Sequence, residues 1–270
     1  MRATELRPLT LADHVAGSGP TLLLIHGGVG SHRHWERVIG PLAASFAVHT
    51  PDLPGFGESP DVPDDTDGDA YIALAAASLL PLLPDGPVHL VGFSFGGGVS
   101  AGIARIWGPR VARLTLIATG GFGPPDRQAL PTRSRRDTDG SEQALRELAR
   151  HNLGVTMLSQ SDAVDETAVD IQRWNIQHAR YDSLKVSHQR RVLNDIAHTA
   201  APLQMIWGER DVFAQPSLQA RAALVHDARP DARIDIVPGA GHWCQYECPD
   251  AVVRMLHDFH APATAPAETQ

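Results

Sequence analysis

The feature that most constrains this chain is a five-residue turn, Gly92-Phe93-Ser94-Phe95-Gly96, set between an apolar run and a helical one. The run before it, Val88 to Phe93 (VHLVGF), has the composition of a strand buried on both faces. The stretch after it, Phe95 to Trp107, carries a helical pattern that Gly108-Pro109 stops. A strand that turns at once into a helix leaves the residue at the turn in a strained backbone, and its neighbours must be small. Gly92, Gly96, Gly97 and Gly98 supply that room. The amino end of the helix points at the turn and favours negative charge developing there. Ser94 is thereby a candidate nucleophile.

Five further runs read as strands: Thr21 to His26, Phe46 to Thr50, Leu114 to Ala118, Leu203 to Trp207 and Arg233 to Val237. Each is short, rich in Val, Ile and Leu, and bounded by Gly, Pro or Asp. Strands alternating with helices predict an α/β fold with a doubly wound, mostly parallel sheet. The alternation fails between about 124 and 200, where only helical patterns occur. Ala144, Leu145, Leu148 and Ala149 share one face there, and Val169, Gln172, Arg173 and Ile176 another. This predicts a core in two parts, 1–123 and 201–260, with a helical cap at 124–200 over the carboxyl edge of the sheet. Residues 261–270 (APATAPAETQ) read as a disordered tail.

A serine hydroxyl needs a base, and the base a carboxylate to orient it. Asp211 follows the fifth expected strand in Gly208-Glu209-Arg210-Asp211, and His242 follows the sixth in Pro238-Gly239-Ala240-Gly241-His242. Both then lie beyond carboxyl ends of strands, where ligands of such sheets bind. The expected triad is Ser94, His242 and Asp211, with Glu209 the rival acid. Two backbone donors should receive an oxyanion: the N–H of Phe95, and one from His26-Gly27-Gly28-Val29, for which Gly28 is the choice over Gly27 or Val29. His26 reads as a structural residue of that loop. His32-x-His34 lacks a third ligand in a recognisable spacing, so no metal and no cofactor are expected.

Composition narrows the partners. A net charge of −8 over 270 residues argues against nucleic acid. The longest apolar run, Ala73 to Leu83, is short and broken by Pro81, which argues against a membrane span. The first twenty residues hold no apolar secretory core. The two cysteines, Cys244 and Cys248, have neither redox nor zinc spacing and read as reduced thiols. The expectation is a cytoplasmic protein acting on a small molecule, with a homo-oligomer left open.

The segments IHGGVG, DLPGFGES, GFSFGG, WGERD and GAGHW, spread over roughly residues 20 to 260, resemble the α/β-hydrolase superfamily. LTLIATGGFGPP (Leu114 to Pro125), Ile171-Gln172-Arg173-Trp174 and His242-Trp243-Cys244-Gln245 more closely resemble the meta-cleavage product hydrolases, which cut a carbon–carbon bond beside a ketone. That resemblance implies that Arg173, followed by the bulky Trp174, contacts the dienoate end of a small acidic substrate, and that Trp243 packs against it. A guanidinium suits such a carboxylate; the other reading of Arg173 is an ion pair with an acidic residue such as Asp170. Arg133, Arg135 and Arg136 stand where an acid could be met, or form a solvated loop. One departure is Phe93, where the family usually has asparagine. It implies a changed substrate or an ordinary esterase. Carbon–carbon hydrolysis is therefore expected first, a carboxylesterase second, and a non-catalytic receptor on the same scaffold last.

Overall fold

The computed structural model describes residues 7–124 and 130–261; the expected tail from 262 onward lies outside them. The strands are β1 (Asp13–Ala16), β2 (Thr21–Ile25), β3 (Ala47–Pro51), β4 (Val88–Phe93), β5 (Val111–Ile117), β6 (Leu203–Gly208) and β7 (Arg233–Val237). They form one sheet in the order β1-β3-β2-β4-β5-β6-β7, with β1 antiparallel to β3 and every other pairing parallel. The helices are α1 (Ile39–Ala43), α2 (Gly68–Leu79), α3 (Phe95–Trp107), α4 (Glu142–Thr156), α5 (Glu166–His178), α6 (Leu184–Ser187), α7 (Val192–Ala197), α8 (Leu218–Ala228), α9 (Cys244–Glu247) and α10 (Pro249–His260).

The strands that carry the site are covered on both faces. Every residue of β2 and β6 is buried, as is all of β4 except His89. Each buried leucine here adds roughly 1.5–3 kcal/mol of apolar burial, so the middle of the sheet is its most rigid part. β7 differs from the expectation of strands buried on both faces: it is the sheet edge, and Ile236 is exposed. The chain runs outward from β2 to β3, then returns to β4 on the other side. That reversal opens a crevice at the carboxyl ends of β2 and β4, where ligands of open α/β sheets bind.

No strand occurs between β5 and β6 among the described residues, only α4 to α7 and short turns. α4 and α5 pack on each other, whereas α6 and α7 pack on α3. Ala149 and Leu153 are the buried residues of α4. On α5 the buried face is Ala168, Val169, Ile171 and Asn175, not the expected Val169, Gln172, Arg173 and Ile176. Asn175 decides the rotation: its side chain accepts the Ser31 hydroxyl at 2.6 Å inside the protein. Arg229 closes the far end, donating to the carbonyls of Ile196, Thr199 and Ala201 and so fixing the chain as it re-enters the sheet.

Candidate active site

Ser94 joins β4 to α3 with φ 52° and ψ −117°, a conformation that L residues avoid. The turn tolerates it because its neighbour has no side chain: a Cβ on Gly96 would lie 2.2 Å from the His26 carbonyl oxygen. The Ser94 amide donates to Ile117, and its carbonyl accepts from Gly97, Gly98 and Gly120, so the turn is held from both sides. Val29 (φ 48°) and Ala118 (φ 46°) are the other non-glycine residues with positive φ among those described. Both stand beside Ser94 in the wall of one cavity of about 210 Å³.

His242 lies in the loop after β7 and Asp211 in the loop after β6. The Ser94 hydroxyl donates to His242 Nε2 at 2.9 Å, and His242 Nδ1 donates to Asp211 Oδ1 at 2.9 Å. The carboxylate fixes the ring proton on Nδ1 and leaves Nε2 free to accept. Asp211 Oδ1 also accepts the Phe213 amide at 2.9 Å, so the acid is itself held in place. Glu209, the rival acid, is turned away and accepts the Gly239 amide. Gly28 and Phe95 line the cavity with Ser94. Among the described residues neither amide donates to a protein acceptor, so both N–H groups are available to a ligand.

Behind the cavity is a layer of buried imidazoles. His26 Nδ1 donates to the Gly27 carbonyl and its Nε2 accepts the Leu53 amide, which fixes the loop after β2. His34 Nδ1 accepts the Gly27 amide at 3.2 Å. Burial holds both rings below the usual imidazole range, His34 well below it, so they stay neutral acceptors. Asp52 accepts the amides of His32 and Glu58; burial opposes its ionisation, but these bonds, the His32 ring and nearby His26 bring it down to about 2. His32 approaches His14 and Asp52, not His34, with potential ligand atoms within 4.8 Å of one another. None of the three lines the cavity, and both Asp52 oxygens already serve backbone amides.

The four side chains expected to bind substrate do not line the cavity. Arg173 donates to Glu142, in both its carboxylate and its carbonyl, because the rotation set by Ala168, Ile171 and Asn175 turns it toward α4. It forms an ion pair as the alternative reading had it, though Asp170 pairs with Arg146 instead. Trp174 stacks on His178 at 4.0 Å. Phe93 and Trp243 are fully buried: the Phe93 ring lies 5.2 Å from the His242 ring, and the Trp243 indole donates to the His34 carbonyl. They wedge the loops of the site from behind. Arg133, Arg135 and Arg136 are exposed and away from the cavity.

The observed lining comes from elsewhere. Thr119 to Gly123 form one wall, with Met157, Leu184, His188, Phe213 and Arg221 around it. The glycine-rich run after β5 was the available signal for that wall. Nothing local marks Met157 or Arg221. Glu247 also went unnoticed, although its carboxylate accepts the Ser159 amide at 2.8 Å, the Gln160 amide at 2.6 Å and the Gly241 amide at 2.6 Å. It thereby ties the turn after α4 to the loop that carries His242.

A serine, imidazole and carboxylate in series beneath two available amides, on this sheet, define a hydrolase. The chain belongs to the alpha/beta hydrolase family, whose model matches residues 22–255. It is 29% identical over 91% of its length, and 89% of the relative's, to a 2-hydroxy-6-oxo-6-phenylhexa-2,4-dienoate hydrolase of Burkholderia cepacia. The same fold is seen in a meta-cleavage product hydrolase of Pseudomonas fluorescens IP01, with TM-score 0.72, 21% identity, and 94% of this chain and 96% of that one covered. A thermophilic esterase of Thermogutta terrifontis also shares it, with TM-score 0.69, 23% identity and 92% of each chain covered. No helix among the described residues is long and apolar enough to cross a membrane.

Proposed function

We propose that the protein hydrolyses a small carbonyl substrate with Ser94 as nucleophile, His242 as general base and acid, and Asp211 as the residue that orients His242. The observation that carries this is the hydrogen-bonded series from Ser94 through His242 to Asp211 at the wall of the cavity. As Ser94 Oγ attacks the carbonyl carbon, its proton passes to His242 Nε2, and the oxyanion takes the N–H groups of Gly28 and Phe95. His242 returns the proton to the departing group. Water, deprotonated by the same nitrogen, then releases the acyl group and restores Ser94.

For the bond cut, we favour carbon–carbon hydrolysis of a dienoate or ketone of the ring-fission type, on the strength of the resemblance to the Burkholderia dienoate hydrolase along nearly the whole chain. The departing group is then a carbanion, so the enol must first move a proton to carbon and become a ketone. The second reading, hydrolysis of small carboxylic esters, is favoured by Phe93 and by the engagement of Arg173 with Glu142. The helices over the site, within 124–200, act as its cap in either case.

A fluorophosphonate should label Ser94 in the folded protein, and Ser94→Ala should abolish the labelling. A folded sample that resists the reagent would remove Ser94 from the role. Turnover of p-nitrophenyl acetate set beside that of a ring-fission dienoate separates the readings: esterase activity with no dienoate cleavage rejects the first.

A further inference from the structure

We propose that Arg221 forms an anion subsite within the cavity, so that the preferred substrate is an ester or ketone carrying a carboxylate apart from the bond that is cut. The inference rests on Ser94 being the nucleophile of this cavity. Among the described residues, Arg221 is the sole one of fixed charge in the lining, which contains no described Asp or Glu. That one charge is positive in a chain whose net charge is −8. Arg221 projects from α8, is half-buried, and sets its guanidinium carbon 4.1 Å from the centre of the Phe122 ring, itself part of the wall.

Among the described residues no carboxylate lies in ion-pair contact with Arg221. Asp211 is near enough to favour its charge, but burial outweighs that and weakens the guanidinium's hold on its proton. Asp211 meanwhile gives Oδ1 to His242 and to the Phe213 amide. A guanidinium that has lost part of its water, stacked on a phenyl face, still has hydrogen-bond donors to satisfy. A substrate carboxylate supplies charge-assisted, bidentate acceptors that water or a neutral chain does not. The anchor thus comes from the wall beside Asp211 rather than from Arg173, which is spent on Glu142.

The test compares p-nitrophenyl butyrate with mono-p-nitrophenyl glutarate, alike in chain length but differing in a terminal carboxylate. The native enzyme should prefer the glutarate ester in kcat/KM. Arg221→Gln should lower that preference by about 10- to 100-fold, mainly through KM, and Arg221→Lys should restore part of it. Equal losses on both esters, or no native preference, would overturn the subsite. Calorimetry with glutarate on Ser94→Ala protein keeps this separate from the nucleophile assignment. Binding that disappears with Arg221→Gln supports the subsite even if neither ester is turned over, and binding that survives the substitution rejects it.

Discussion

At Asp211 one oxygen serves two donors, the His242 ring and the Phe213 amide. Asp211→Asn keeps the shape but presents an amide that can hold the wrong imidazole tautomer, so kcat should fall by roughly 10³–10⁴ with little change in melting temperature. A loss under tenfold in steady-state rates would show that His242 is oriented by something else. Arg173 is the opposite case. Its ion pair with Glu142 lies outside the cavity lining, so Arg173→Ala should alter ester and dienoate turnover by less than about threefold, while the lost packing of its mostly buried stem lowers stability by roughly 1–2 kcal/mol. A selective collapse of dienoate turnover would return Arg173 to the site. Ser94, Asp211 and His242 were legible because each ends a strand run in its own glycine-bearing turn. Arg173 and Arg221 were not, because a helical residue's target depends on how the helix is rotated, which distant partners such as Asn175 and Ser31 set.

Helix and strand runs were readable where burial was complete or nearly so, as in β2, β6, β4 and α3, whose composition leaves little choice. β1 escaped notice because Asp13-His14-Val15-Ala16 is half polar and largely exposed, and its ladder to β3 comes from pairing rather than apolar content. The pattern on α5 misled for a related reason: Asn175 is polar yet buried, and Ile176 apolar yet exposed. Between elements, the tie through Glu247 was invisible, since one glutamate in a short helix carries no periodic signal. Glu247→Ala would leave three amides short of an acceptor, costing about 2–4 kcal/mol and loosening the His242 loop. Thermal melting and kcat should fall together, with Glu247→Gln intermediate. Loss of stability with kcat intact would show that the tie does not position His242.

Acid should act on the molecule in two stages. His26, His34 and His260 are held below the ordinary imidazole value of 6.5 by burial, so the unfolded chain takes up protons that the folded one refuses. Stability is then full above about pH 6.5 and declines as pH falls below it. Asp52, at about 2 against 3.8 when unfolded, adds a further loss of roughly 2 kcal/mol as pH falls from about 4 toward 2. Denaturant titrations at pH 7.5, 6 and 4.5 should give a steadily falling unfolding free energy; a flat profile would contradict neutral buried imidazoles. The left-handed backbones at Val29, Ser94 and Ala118 have a different kind of consequence, because each costs about 1–2 kcal/mol whether or not a ligand is present. Their sum is a sizeable share of the 5–15 kcal/mol that holds a typical fold together. Heat resistance is therefore given up at the cavity wall itself, the part of the molecule that a ligand meets.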